Sequence, residues 1–396
     1  MKLFHGSPKK LKILKPRKAR GGEEFENQKA IFLTDSFTQA ALYALGKTLK
    51  GKTCFALPPN KLIIVGNKKP DKAYVYEVNI KAKKGLWDYY IYKHKISKFK
   101  VYEINPENYE KYFVRAHNKK ELIRVCCEEK KLWLEKHGFC IPKLKFSLAS
   151  INSTFAIFDR FLNPKEGEWN WKNKIFVKYP CLKKSLEKEK DMPKRRKIIH
   201  KFLSEIYNRE KKLIKEKKQS FQKEWNKIND IFMMAISEIV GIKWPHKMNT
   251  LKALVSLSPL CPRDLKNLGF DIFYEFKINQ MKAVCMHEIL HFIYFKKWNV
   301  VFKKHQSLVK GKLKLHLSEI VPYVILRDQK IQEIMKYNHK IYKEYHQIKI
   351  NDRSFISILS QIYKNKKIFS DFLIKIDKLT AKNKKAIINE LNKDTK

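Results

Sequence analysis

The sequence predicts a multidomain α+β protein, in which a small β-rich domain precedes a mainly helical domain with a short antiparallel sheet. Three observations carry this. The chain has 396 residues, enough for two to three domains that each bury a core. Short alternating strand patterns crowd the first hundred residues. Beyond them, long stretches of helical periodicity surround two strand-like runs that lead into an apolar helix. The predicted boundaries are 1–108 for the β-rich domain, 109–140 for a helical linker, 141–350 for the helical domain and 351–396 for a helical tail. There is no internal repeat.

At the amino terminus, Leu3-Phe4-His5-Gly6-Ser7-Pro8 reads as a short strand ending in His-Gly-Ser, and a turn follows at Gly21-Gly22. Residues 30–35 read as a second strand. Residues 36–46 read as a helix, with Asp35 or Ser36 as N-cap and Gly46 as its stop. This pattern resembles the diphtheria-toxin-like ADP-ribosyltransferases over roughly the first hundred residues. The resemblance implies NAD as cofactor, with His5 bonding its ribose, the Gly6 backbone holding the nicotinamide amide, and Tyr43 stacked on the nicotinamide ring. It also implies a Glu on a later strand that steadies the charge developing on the ribose. The chain offers Asp88, one methylene shorter, and Glu77. The plain alternative is a small β-rich domain with a chance His-Gly-Ser.

A strand at 99–104 and a turn at 105–108 close this domain, and Lys119–Leu134 reads as the helix of the linker. Residues 146–158 are strand-like or mixed. Lys183–Lys223 reads as basic helices with Ile198, Ile199, Phe202, Leu203 and Ile206 on a buried face, and it contains Lys194-Arg195-Arg196-Lys197. A solvated helix face is the default reading of such a run; nonspecific nucleic-acid binding is the other. Trp169 and Trp171 read as cover for a core rather than as ligand contacts. Strand-like runs at 253–257 and 270–276 flank a turn around Pro259, Pro262 and Arg263.

The apolar helix that follows contains His287-Glu288-Ile289-Leu290-His291, a full H-E-x-x-H pattern. Residues i and i+4 share a helix face, so both imidazoles can reach one metal ion. Glu288 then lies beside the metal as a general base for water. Polar groups inside an apolar helix must be satisfied, and a zinc ion would do so. The plain alternative is two core histidines and a salt-bridged Glu. Catalytic zinc usually takes three protein ligands. The best third candidate is Glu319, on another apolar helical segment; His316, three residues earlier, is either an alternative ligand or a partner behind the ligands. The region resembles the gluzincins, zincin metallopeptidases with HExxH on one helix and a Glu on the next. That resemblance implies His287, His291 and Glu319 as zinc ligands and Glu288 as general base. The family's N-E-x-x-x-D surround is not reproduced, because Ser318 precedes Glu319 and no Asp follows four residues later. Tyr323, one turn on, reads as packing or as an oxyanion donor.

The formal charge is +47, from 75 Lys and 11 Arg against 39 acidic residues. Such a surface attracts polyanions at low salt. Arg carries most specific phosphate and base contacts, and its scarcity argues against sequence-specific recognition. Seven cysteines without a CxxC pair suggest free thiols in a reducing compartment. With no apolar run of bilayer length and no signal-peptide core, the expected location is the cytoplasm, without a membrane partner. Two functions from different classes follow. One is a zinc-dependent peptidase acting on a peptide or protein, its amino-terminal domain binding NAD or recruiting a target. The other is an ADP-ribosyltransferase, toxin-like or regulatory, whose zincin part is structural or degraded.

Overall fold

The computed structural model describes residues 1–18, 28–51, 53–56, 60–84, 89–136, 140–164, 171–335, 343–366 and 368–393. They form two compact units, Met1–Ile141 and Pro142–Lys396, both mixing helices and strands as an α+β chain should.

The first unit contains β1 (Lys2–Ser7), β2 (Arg17–Lys18), β3 (Lys29–Thr34), α1 (Phe37–Thr48), β4 (Thr53–Ala56), β5 (Lys61–Val65), β6 (Ala73–Asn79), β7 (Lys83–Lys84), β8 (Tyr89–Tyr92), β9 (Lys100–Ile104), β10 (Phe113–Ala116) and α2 (Lys119–Lys136). One sheet runs β7-β8-β3-β1-β6-β9, with β2 also paired to β3; a second runs β10-β5-β4. The period of two along β1 sends its side chains to two cores. Leu3 joins Ile31, Leu33 and Tyr76, while Phe4 joins Ala40, Leu45 and Val75 under α1. Gly6 faces α1 so closely that a Cβ would lie 2.1 Å from the Ala40 carbonyl oxygen. Ser36 is the N-cap of α1, its hydroxyl accepting from the Gln39 amide. Gly46 does not stop the helix. It is buried within α1, and the left-handed residues come later, at Lys50 and Gly51. Helix α2 lies on β4, β5 and β10 within the first unit. Cys126 in α2 is disulfide-bonded, whereas Cys140, Cys181, Cys261 and Cys285 are free.

The second unit begins with β11 (Lys143–Leu148), α3 (Ile151–Leu162), α4 (Lys172–Lys178), α5 (Pro180–Glu187), α6 (Met192–Asn226) and α7 (Asn229–Val240). Next come β12 (Thr250–Ser256), β13 (Arg263–Asp264), β14 (Gly269–Phe273), α8 (Ile278–Lys304), α9 (Gly311–Ile325), α10 (Gln329–Ile334), α11 (Lys343–Gln347), β15 (Lys349–Ile350) and β16 (Arg353–Ser354). The unit ends with α12 (Phe355–Lys364), α13 (Phe369–Lys382) and α14 (Lys384–Lys393).

The expected short antiparallel sheet is instead mixed. Its order is β11-β12-β14-β13; the first three strands are parallel and only β13 is antiparallel to its neighbour. The Pro-rich segment after β12 is not a hairpin turn. It carries the chain to the sheet edge, where β13 forms and folds back into β14. Helices α3 to α7 make the crossover that parallel pairing of β11 with β12 requires. Asn229 ties this crossover down: its carboxamide donates to the Pro142 carbonyl and accepts from the Leu144 amide and the Trp225 indole. Helix α8 contacts β14, α6, α7, α9 and α13, which accounts for its apolar residues on nearly every side. The segment 351–396 belongs to this unit, with α13 against α8 and α12 against α9.

Candidate metal centre

Helix α8 buries Ile289, Leu290, Phe292 and Ile293 to 2 % exposure or less, so the polar side chains between them are held inside the unit. The Lys277 amide starts the helix by donating to the Gln280 side chain. One helical turn separates His287 from His291, and their Nε2 atoms face each other 3.0 Å apart. Helix α9 brings Glu319 to the same point. Its Oε2 lies 3.2 Å from His287 Nε2 and its Oε1 lies 3.7 Å from His291 Nε2. Ligands around a tetrahedral zinc, at about 2.0–2.1 Å from the metal, stand roughly 3.3 Å apart. The donor set therefore fits a metal ion. The ligand atoms of His287, Glu288 and His291 also lie within 4.8 Å of one another.

The two carboxylates differ in their electrostatics. Burial pushes Glu288 up to about 7, against the opposing charges of His287 and Arg263. Its Oε2 lies 3.7 Å from Arg263 Nη1 and, among the described residues, accepts no short hydrogen bond. Burial would also raise Glu319, but His291, His287 and Arg263 outweigh it and hold that carboxyl well below the usual range. His316 turns elsewhere, its Nδ1 lying 3.1 Å from the Tyr345 hydroxyl. Tyr323 is buried, with the Arg327 guanidinium 3.8 Å above its ring.

Sequence reasoning missed the role of Arg263, which β13 sends into this cluster. Its Nη2 donates to Glu319 Oε1 at 2.6 Å, and its Nη1 lies 3.1 Å from His291 Nε2. A signal was present: in a chain with 75 Lys and only 11 Arg, an arginine in the turn before the HExxH helix invited attention, because its planar fork suits a carboxylate. The same reasoning reinterprets the basic run on α6. Arg195 is spent on the Leu186 and Glu189 carbonyls, and Arg196 on the Asp159 carboxylate. Both are staples within the unit.

In the first unit the named residues that are described lie on three elements, His5 and Gly6 on β1, Tyr43 on α1 and Glu77 on β6. His5 projects from the β1 face that carries Leu3 and Tyr76; its Nδ1 lies 2.9 Å from the Phe32 carbonyl oxygen, and burial lowers its pKa. Tyr43 belongs to α1, on the opposite face, and is 40 % exposed with Lys47 over its ring. Glu77 pairs with Phe4 across β1 and β6, again opposite to His5, and its carboxylate is held by the Tyr102 hydroxyl and Lys2. Gly6 has a packing reason of its own beneath Ala40. Asp88, Gly21, Gly22 and Trp169 lie outside the described residues. Trp171 stacks on Phe161.

Among the described residues, no helix is long and apolar enough to cross a membrane. Compared with known protein families, with curated proteins and with solved structures, the chain gives no match.

Proposed function

We propose that the second unit is a zinc-dependent peptidase, with His287, His291 and Glu319 as metal ligands and Glu288 as general base. The observation that carries this reading is the convergence of two imidazole Nε2 atoms and a carboxylate, from two helices, at 3.0–3.7 Å in a buried site. Zinc suits two nitrogens and one oxygen, and when bound it supplies a Lewis acid that polarises a carbonyl and acidifies water. The remaining roles belong to the chain. Glu288 follows His287 directly on α8, and its carboxylate takes the proton from water as the water oxygen attacks the peptide carbonyl carbon. The same carboxyl returns that proton to the leaving nitrogen as the C–N bond breaks. The apolar walls of α8 keep bulk water from this exchange.

NAD binding at His5, Gly6 and Tyr43 draws less support, because His5 and Tyr43 do not share a face of the sheet. The test of the peptidase reading is hydrolysis of a peptide library by the zinc-loaded protein. Glu288→Gln should lose roughly 10²–10⁴-fold in rate while keeping its metal. Equal rates in wild type and Glu288→Gln would remove Glu288 from the chemistry.

A further inference from the structure

Arg263 stands where it and a metal ion exclude one another. Its guanidinium reaches three of the four side chains of the site: Glu319 at 2.6 Å, His291 at 3.1 Å and Glu288 at 3.7 Å. Guanidinium groups only donate, so the Nη1 contact requires His291 Nε2 to offer its lone pair. A metal ion bound by His291 takes that same lone pair. One lone pair cannot serve both, and two cations sharing Glu319 repel each other.

We propose that Arg263 is an internal cation that competes with the metal for Glu319 and for the His291 lone pair, and must withdraw for the metal to bind. This rests on the metal reading given above and adds to it a control on loading. The fold lets the side chain move without the backbone. Strand β13 lies at the sheet edge, paired on one side only, to β14. Its turn is fixed from within, the Asp264 carboxylate accepting from the Lys266 and Asn267 amides. The side chain is long and retains some exposure, 19 %, so a path outward exists. The choice of residue also fits. A guanidinium presents two donors side by side in one plane, a fixed spacing that suits an imidazole next to a carboxylate and that the freely rotating ammonium of a lysine does not preset.

Two measurements test this. The first is the zinc dissociation constant of wild type, Arg263→Gln and Arg263→Lys, by competition with a chromogenic chelator. Arg263→Gln should bind zinc at least tenfold more tightly than wild type, with Arg263→Lys between them. Equal or weaker binding in a folded Arg263→Gln overturns the proposal. Absence of zinc binding in all three overturns the metal reading itself, and the competition with it. The second measurement uses the wild-type protein and so does not depend on a variant folding. Labelling of arginines by phenylglyoxal, read by mass spectrometry, should speed up at Arg263 when zinc is added. The exposed Arg124 serves as internal reference and should not change. Zinc binding that leaves the Arg263 labelling rate unaltered overturns the proposal.

Discussion

Buried carboxylates decide much of the chemistry of this chain at the residue scale. Glu319 keeps its charge because two imidazoles and a guanidinium surround it, and Glu288 is pushed up because burial outweighs its neighbours. Asp271 in β14 is a third case. It is 5 % exposed, and among the described residues its Oδ2 has no hydrogen bond. Burial pushes its carboxyl up to about 7, against a hydrogen bond from Ser256. The folded chain therefore holds a proton that the unfolded chain, with a carboxyl near pKa 3.9, has released. Stability from this group is greatest below about pH 4, falls as pH rises towards 7, and stays low above that. A shift of about three units corresponds to roughly 4 kcal/mol. Asp271→Asn should flatten that slope and raise stability at pH 8 by up to about 4 kcal/mol. Urea unfolding at pH 5 and pH 8 checks this; an undiminished pH slope in the variant would assign it to other groups.

At the element scale, the candidate metal site depends on how two helices are joined. Helix α9 can present Glu319 to α8 only if the chain between them turns at a fixed angle. Asp377 of α13, 2 % exposed, fixes that turn: it accepts from the Ser307 hydroxyl and from the Leu308 and Val309 amides. Asp377→Ala leaves the Leu308 amide without its acceptor and leaves Ser307 and Val309 only their bonds to one another, at a cost of about 1–3 kcal/mol. It should also weaken zinc binding, although Asp377 touches no ligand. Chelator competition on the folded variant reads this; wild-type zinc affinity would show that α9 is positioned by its packing alone.

How much could be read beforehand also differs by element. His287, Glu288 and His291 were legible because one helical turn is a local rule that needs no knowledge of the fold. Glu319 was legible only as a candidate, since nothing local fixes how α9 folds back on α8. Arg263 was not, because its reach depends on β13 lying at the sheet edge. That placement in turn depends on parallel pairing between strands a hundred residues apart, such as Lys143 with Thr250. In the first unit, the alternation of Leu3, Phe4 and His5 was visible, but the side that α1 covers was not. That choice separates His5 from Tyr43.

For the whole molecule, a formal charge of +47 says less about function than one buried cluster does. Lysine dominates that charge, and the two arginines of the basic run on α6 are engaged inside the second unit. The account stands on a metal ion held by α8 and α9. The direct test is the metal content of the purified, zinc-reconstituted protein by elemental analysis, for wild type, His287→Ala and Glu288→Gln. The account predicts about one zinc per chain in wild type and in Glu288→Gln, and its loss in His287→Ala. A wild-type protein without zinc, or a His287→Ala variant that retains it, would contradict the account.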